Sequence, residues 1–313
     1  MASVAGRWTA GSQKPGRRLL GGRARRKEAA NAYLFIAPNL IVFITFMFVP
    51  LAWTFVYAMQ NKLTFGPSHY VGLENFRTLY HDPTFWRSLV NTVGYAALSV
   101  PLELGIGLGV AMLLNGRLPM RGLFRTIFFV PVVISGLSSG IIVSWVFNEQ
   151  IGVANRIAGY LGSGPLHWQS NPKLAIVTGV LVTLWVSIGF NMVVYLAALQ
   201  GVPREYYDAA AVDGASPWSR FRHVTLPGIN YSTMFLGVYG VITSFQVFDL
   251  VYSVTGGGPG DATNVLGLYA YQSAFETRNT GQGAAIGVVL YVLIMAIIAL
   301  QFGVVQLRRR RSA

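Results

Sequence analysis

Six runs of apolar residues, each long enough to cross a bilayer, divide this chain of 313 residues. A membrane-spanning helix needs about 20 mostly apolar residues, at a rise of about 1.5 Å each, to traverse the hydrocarbon core. The runs cover residues 31–59, 88–114, 122–147, 174–199, 228–252 and 283–307. The expected fold is therefore all-α: a polytopic membrane protein with six transmembrane helices. Pro38, Pro50, Pro101, Pro131 and Gly189 fall inside these runs. Membrane helices tolerate such residues where neighbouring helices re-satisfy the backbone. Gly105, Gly107 and Gly109 are small enough to let helices approach closely. Charged residues make up only 11% of the chain, against about 25% in a soluble domain, which leaves too few to cover a globule in water.

The basic residues set the orientation. Eighteen Lys and Arg fall on one side of the runs: eight in the N-terminal arm, then Arg117, Arg121, Arg125, Arg204, Arg220, Arg222 and Arg308 to Arg311. Six fall on the other: Lys62, Arg77, Arg87, Arg156, Lys173 and Arg278. The richer side is expected in the cytoplasm, and an even number of spans puts both termini there. The net charge of +13 is then a topology signal, with anionic membrane lipid as a secondary partner and no nucleic acid. Residues 1–28 read as a disordered basic cytoplasmic arm, residues 29–307 as the six-helix membrane domain, and residues 308–313 as a basic cytoplasmic tail. A cleaved signal peptide is the rival reading of the start. Its apolar core is about 7–15 residues, half the run that follows Ala32.

The sequence excludes much chemistry. It has no cysteine, so disulfides, thiol catalysis and cysteine metal sites are out. No GxxxxGK[ST] loop occurs, so the chain has no phosphate cradle of that kind for ATP. The glycine-rich passage TGGGPGDATN at residues 255–264 lacks the following lysine and reads as an outward-facing loop. His69, His81, His167 and His223 lie in separate loops without ligand spacing, so no metal site is expected. With no GxSxG motif and no facing carboxylates, no catalytic residue is expected. Glu103 lies mid-span and Asp249 near a span end, which is thin for a proton-driven carrier.

One passage is too polar for its place. EYYDAAAVDGASPWSRFRHVTLP, residues 205–227, separates the fourth and fifth runs on the basic side. Pro203 suits a helix start, and Glu205 and Asp208 favour the positive end of its dipole. Gly214 permits a sharp turn. Ser216 and Pro217 read as the cap and first residue of a second short helix, with Trp218 and Phe221 on one face. One reading is an amphipathic helix resting on the membrane surface. The other is a rigid knob for a cytoplasmic partner.

The passage resembles the EAA loop of ATP-binding-cassette importer permeases, on Asp208-Ala209-Ala210, Asp213-Gly214-Ala215, Phe221 and Leu226-Pro227. Two departures are that Asp208 stands where the motif leads with Glu, and that the further proline is missing near Asn230 and Tyr231. FIAPNL at 35, VGLENF at 71, FRTIFFVP at 124, AALQGVP at 197 and FQVFDLVYSVTGGGP at 245 resemble the carbohydrate-uptake branch, the maltose and glycerol-phosphate type, and the first of its two paired permeases. The likeness implies an inner-membrane permease domain with residues 203–227 as the coupling-helix loop. It implies an ATPase contact through Glu205, Tyr206, Asp208, Ala209, Ala210, Asp213, Gly214, Ala215 and Phe221. The implied partners are a second permease, a homodimeric ATPase carrying ATP and magnesium, and an extracytoplasmic substrate-binding protein. The expected place is a bacterial inner membrane.

Polar and aromatic residues within spans mark where substrate would pass: Asn191, Gln246, Asp249, Tyr195, Tyr252, Glu103 and Trp145, with Ser135, Ser138 and Phe248 beside them. Each could instead tie helices together. No Lys or Arg lies mid-span, which favours a neutral polyhydroxylated solute over an anion. The function expected is half of the translocation path of an ATP-driven, binding-protein-dependent importer of a di- or oligosaccharide or related polyol. The alternatives are the same machinery importing glycerol-3-phosphate or a glycerophosphodiester, an ATP-independent secondary transporter, and an integral membrane enzyme acting on lipid.

Overall fold

The computed structural model of the chain describes residues 22–63, 66–116 and 118–312. The chain divides into two compact units between Trp53 and Thr54. The first holds α1 (Gly22–Phe43), a π-helical turn (Ile44–Phe48) and the start of α2 (Val49–Ala58). Pro50 explains the π turn. It has no N–H to give Phe46, and its ring crowds that carbonyl, so the preceding turn widens; Val49 N–H closes it on the Ile44 carbonyl. The expected disordered arm ends sooner than residue 28, because α1 already begins at Gly22. The stretch RARRKEAANA is rich in good helix formers and extends the span backwards. Residues 1–21 of that arm lie outside the described residues.

The second unit is also helical. A two-residue antiparallel pair, β1 (Gln60–Asn61) with β2 (His69–Tyr70), leads into α3 (Glu74–His81) and α4 (Pro83–Asn115). Then come α5 (Arg121–Val133), α6 (Gly136–Val146), α7 (Val153–Tyr160) and α8 (Pro172–Gly201). The loop after α8 holds α9 (Arg204–Val212), α10 (Pro217–Arg220), a π turn (Phe221–Thr225) and α11 (Leu226–Gly228). The chain continues through α12 (Asn230–Phe245), α13 (Asp249–Val254), α14 (Leu266–Tyr271) with a π turn (Gln272–Glu276), and α15 (Thr280–Ser312). The last basic residues, expected as a separate tail, therefore continue the backbone of α15.

Local chemistry fixes the helix starts. Asp82 accepts from the Thr84 N–H at 2.8 Å before Pro83, and Asn171 accepts from the Lys173 N–H at 3.0 Å before Pro172. In both, the side chain caps an orphan donor while the proline fills a position that needs none.

Among the described residues, four helices are apolar and long enough to cross a bilayer unbroken: Tyr33–Ala58, Pro83–Asn115, Pro172–Gly201 and Thr280–Gly303. The expected continuous span 122–147 is instead two helices, α5 and α6, bent by 107°. The expected span 228–252 is likewise two pieces, α12 of 16 residues and α13 of 6, interrupted at residues 246–248. The chain is thus a mostly helical polytopic membrane protein, with breaks that apolarity alone did not reveal.

α4 and α8 form the most extensive helix pair. Ala111, Leu114, Met192, Leu196 and Leu199 pack between them with Leu236 of α12. Buried hydroxyls bridge the spans: Tyr95 bonds the Gly179 carbonyl at 3.0 Å and Thr183, and Ser99 bonds Ser244 at 3.0 Å. Of the four glycines in α4, only Gly107 meets a neighbour. A Cβ there would lie 2.6 Å from Asn191 Cβ, whereas none would touch anything from Gly105 or Gly109.

Candidate functional site

The loop between α8 and α12 is built as one stiff piece. α9 ends in a Schellman motif: the Ala215 N–H reaches the Ala210 carbonyl at 2.9 Å and the Gly214 N–H reaches Ala211 at 3.1 Å. The motif needs a left-handed residue, and Gly214 supplies it with φ +73°. Ser216 then caps α10 through the Ser219 N–H at 3.2 Å, as its Ser-Pro pair predicts. Arg220 Nε donates to the Ala215 carbonyl at 2.9 Å and braces the two helices. Trp218 and Phe221 lie 5.3 Å apart, ring to ring. Glu205, Tyr206, Asp208, Ala209, Asp213 and Gly214 are exposed, while Ala210, Ala215 and Phe221 are half-buried. The exposed residues of α9 thus join Glu205 and Asp208 with Arg204, Tyr206, Ala209 and Val212, a small mixed surface suited to protein contact more than to anionic lipid.

The second feature lies where the two broken runs meet. Gly136, at the start of α6, approaches Asp249, at the start of α13; a Cβ on it would lie 3.2 Å from Asp249 Oδ2. Gly140 packs against Ser253 so closely that a Cβ would collide with its hydroxyl. Ser135 caps α6, its Oγ accepting from the Ser138 N–H at 3.3 Å and donating to Ser138 Oγ at 2.9 Å. Interrupted backbone is stable at membrane depth only where protein buries it or water reaches it. Here Ser135, Ser138, Gln246 and Asp249 are all exposed around the breaks. Beside them a cavity of about 230 Å³ is lined by Thr183, Ser187, Tyr239, Thr243 and Ser244 among apolar residues. All five escaped the sequence reading; the i, i+4 spacing of Thr183 with Ser187 and of Tyr239 with Thr243, each pair on one helix face, was the available signal.

The other sequence-predicted residues separate into two sets. Tyr252 is partly exposed and stacks on Phe248 at 5.4 Å, and Trp145 is 71% exposed on α6. Asn191, Tyr195 and Glu103 are instead sealed in helix packing, at 3%, 1% and 4% exposure. Asn191 faces the Glu103 carboxyl, whose Oε1 has no hydrogen-bond partner among the described residues. No group of acidic and histidine side chains among the described residues could hold a metal.

At the opposite end of α8, Glu149 organises the loop before it. Its Oε1 accepts from the Gln169 and Ser170 N–H groups at 3.0 and 2.7 Å, and its Oε2 lies 3.0 Å from His167 Nδ1. His167 and these backbone donors hold the carboxyl pKa down at about 2, against an ordinary glutamate value of about 4.3. A lowered folded pKa stabilises the loop fully above the unfolded value, and the contribution fades as pH falls from about 4.3 toward 2. Glu149→Gln should therefore be nicked by pepsin within residues 148–171 faster than wild type at pH 4.5, the rates converging by about pH 2. Equal rates at pH 4.5 would remove Glu149 as the organiser.

The geometry is that of a helical membrane protein with a stiff loop knob and paired helix breaks. The chain's relatives specify which kind. Residues 104–312 match the family described as "Binding-protein-dependent transport system inner membrane component". The trehalose/maltose transport system permease protein MalF of Thermococcus litoralis is 33% identical over 92% of this chain and 97% of its own length. The sulfoquinovosyl glycerol transport system permease protein SmoG of Agrobacterium fabrum is 34% identical over 88% of this chain and 90% of its own. Among solved structures, a chain of a bacterial ABC transporter involved in the import of the acidic polysaccharide alginate superposes with a TM-score of 0.78. That match covers 90% of this chain and 96% of the other at 22% identity, and establishes a shared fold. The chain belongs to the family of inner-membrane components of binding-protein-dependent transport systems. It is a permease subunit, and its role is transport and not catalysis.

Proposed function

We propose that this permease forms half of the translocation path of an ATP-driven carbohydrate importer. On this reading there are six spans, counting α5–α6 and α12–α13 as broken ones, so both termini share one side, and the lysine and arginine distribution favours the cytoplasm. α9 is the coupling helix. Its exposed Glu205, Tyr206, Asp208 and Ala209 enter a groove of an ATPase dimer that binds ATP and magnesium, and a second permease supplies the other half of the path. An extracytoplasmic binding protein delivers the solute. The observation that carries the reading is the α9–Gly214–α10 corner, a rigid part with an exposed mixed face where a floppy loop would suffice for mere connection.

Solute passes along the breaks. Ser135, Ser138, Gln246 and Asp249 offer hydrogen bonds there, and Trp145 and Tyr252 offer ring faces. Asn191, Tyr195 and Glu103 tie helices in this conformation. The relatives' named substrates, trehalose, maltose and a sulfoquinovosyl glycerol, support a glycoside as cargo. The described spans place no Lys or Arg in mid-membrane, so a neutral sugar is favoured over a glycerol phosphate.

The test is purification of the permease with its neighbours. The complex should retain an ATPase subunit, and sugar-loaded binding protein should raise its ATP hydrolysis several-fold. Uptake driven by an ion gradient without ATP would instead identify a secondary transporter and overturn the reading.

A further inference from the structure

The loop after α8 contains a tie that the coupling motif does not include. Tyr207 lies about 100° round α9 from the exposed Tyr206 and is half-buried. Its phenol oxygen lies 3.1 Å from Thr225 Oγ1. Thr225 is 5% exposed and is the last residue of the π turn. The Thr225 carbonyl in turn accepts from the Ile229 N–H at 3.1 Å. Ile229 is 1% exposed and packs with Leu196, Leu199 and Leu236, the core shared by α8 and α12. A continuous set of contacts therefore runs from α9 through Tyr207 and Thr225 into the foot of α12.

The π turn makes that tie necessary. Pro227 cannot donate to the His223 carbonyl and its ring crowds it, so the turn ahead opens to an i, i+5 bond from the Leu226 N–H to the Phe221 carbonyl. The widened turn between α10 and α12 is a compliant joint. A push on α9 that travels through the stiff corner at Gly214 into α10 would be absorbed there. The hydrogen bond from Tyr207 to Thr225 bypasses that joint, closing residues 207–225 into a ring whose far side is buried in the core.

We propose that Tyr207 and Thr225 are positioning residues for coupled transport: their hydrogen bond makes α9 and the foot of α12 move as one body. The inference rests on the reading of α9 as the ATPase contact. Neither residue touches solute, and both act through the backbone they join.

The test uses the complete complex in proteoliposomes, with its ATPase, second permease and binding protein, and reads sugar taken up per ATP hydrolysed. Tyr207→Phe and Thr225→Val should each lower that ratio about fivefold, the effect of one lost neutral hydrogen bond. The double variant should be no worse than either single one, and Thr225→Ser, which keeps the hydroxyl, should stay within about twofold of wild type. Single variants equal to wild type, or effects that multiply in the double variant, would overturn the link. The chain has no cysteine, which allows a second arm that does not depend on the first. In Tyr207→Cys/Thr225→Cys, bridging with a reducible dithiol linker of phenol length should restore the ratio, and reduction should lower it again. Equal ratios in bridged and reduced states would overturn it too. A wild-type complex without stimulated ATP hydrolysis fails the importer reading itself; a normally coupled wild type with an equally coupled Tyr207→Phe fails the link alone.

Discussion

Gly189→Val is expected to lower the folded permease recovered from membranes at least about tenfold, while Gly109→Val leaves it within about twofold. Both glycines lie in long apolar helices, and both would gain the same side chain. Their surroundings differ. A Cβ on Gly189 would collide with the Phe128 carbonyl oxygen and lie 2.8 Å from Val132 Cγ2 and 2.9 Å from Phe129 Cα. Two of those atoms are backbone, which cannot rotate away, so α5 must separate from α8 along its length. Overpacking of a core costs about 1–3 kcal/mol even where side chains can give way; against backbone the cost is larger. Net stabilities of about 5–15 kcal/mol leave little margin. Gly109 has no heavy atom within 4 Å of its would-be Cβ. The measurement is the monodisperse peak on size exclusion after mild detergent extraction, with thermal stability of the extracted protein. Equal recovery of the two variants would mean that α5 and α8 do not pack as described.

The same contrast shows what the sequence could and could not disclose. Apolar length was enough to find α4, α8 and α15, because a long run in lipid has one solution, a helix. The Ser216-Pro217 pair marked a helix start, since cap and proline act locally and need no neighbours; Asp82-Pro83 and Asn171-Pro172 carry the same signal but lie ahead of the apolar runs that begin at residues 88 and 174. The corner at Gly214 was legible for the same reason. The breaks at residues 134–135 and 246–248 were not. Hydropathy averages over a window and carries no direction, so a chain that turns by 107° stays as apolar as one that runs straight. Nor could spacing tell Gly107, pressed on Asn191, from Gly105 and Gly109 on either side. Polar residues posed the converse difficulty. Asn191 and Gln246 look alike in a list of intramembrane amides, yet one is 3% exposed and the other opens to the surface at a break. The Tyr207–Thr225 tie joins residues 18 positions apart and exists only once the π turn is formed.

Gly214→Val is expected to cut sugar uptake at least about tenfold while the amount of permease in the membrane stays within about twofold. The structure separates the two effects. Nothing lies within 4 Å of a Cβ built on Gly214, so no neighbour is displaced and the packed spans do not register the change. The cost is in the backbone: a β-branched residue held at φ +73° is strained by about 1–2 kcal/mol. That strain is small beside the stability of the whole membrane domain. It is comparable to the few hydrogen bonds that define the Schellman turn, so the turn is what yields. Once it opens, the Ala215–Ala210 and Gly214–Ala211 bonds are lost and α9 no longer keeps its angle to α10. On the proposed reading of α9, a push on it then bends the loop, and the single Tyr207–Thr225 hydrogen bond, no longer aligned by the corner, does not carry it to α12. Gly214→Asn provides the control, because asparagine tolerates the left-handed region while adding a side chain at the same exposed place. Uptake at matched permease levels should be largely retained by the asparagine variant and lost by the valine variant. Equal, severe losses in both would mean that bulk at a contact surface matters and not the angle of the corner. Normal uptake by the valine variant would end the role of the corner as a rigid transmitter.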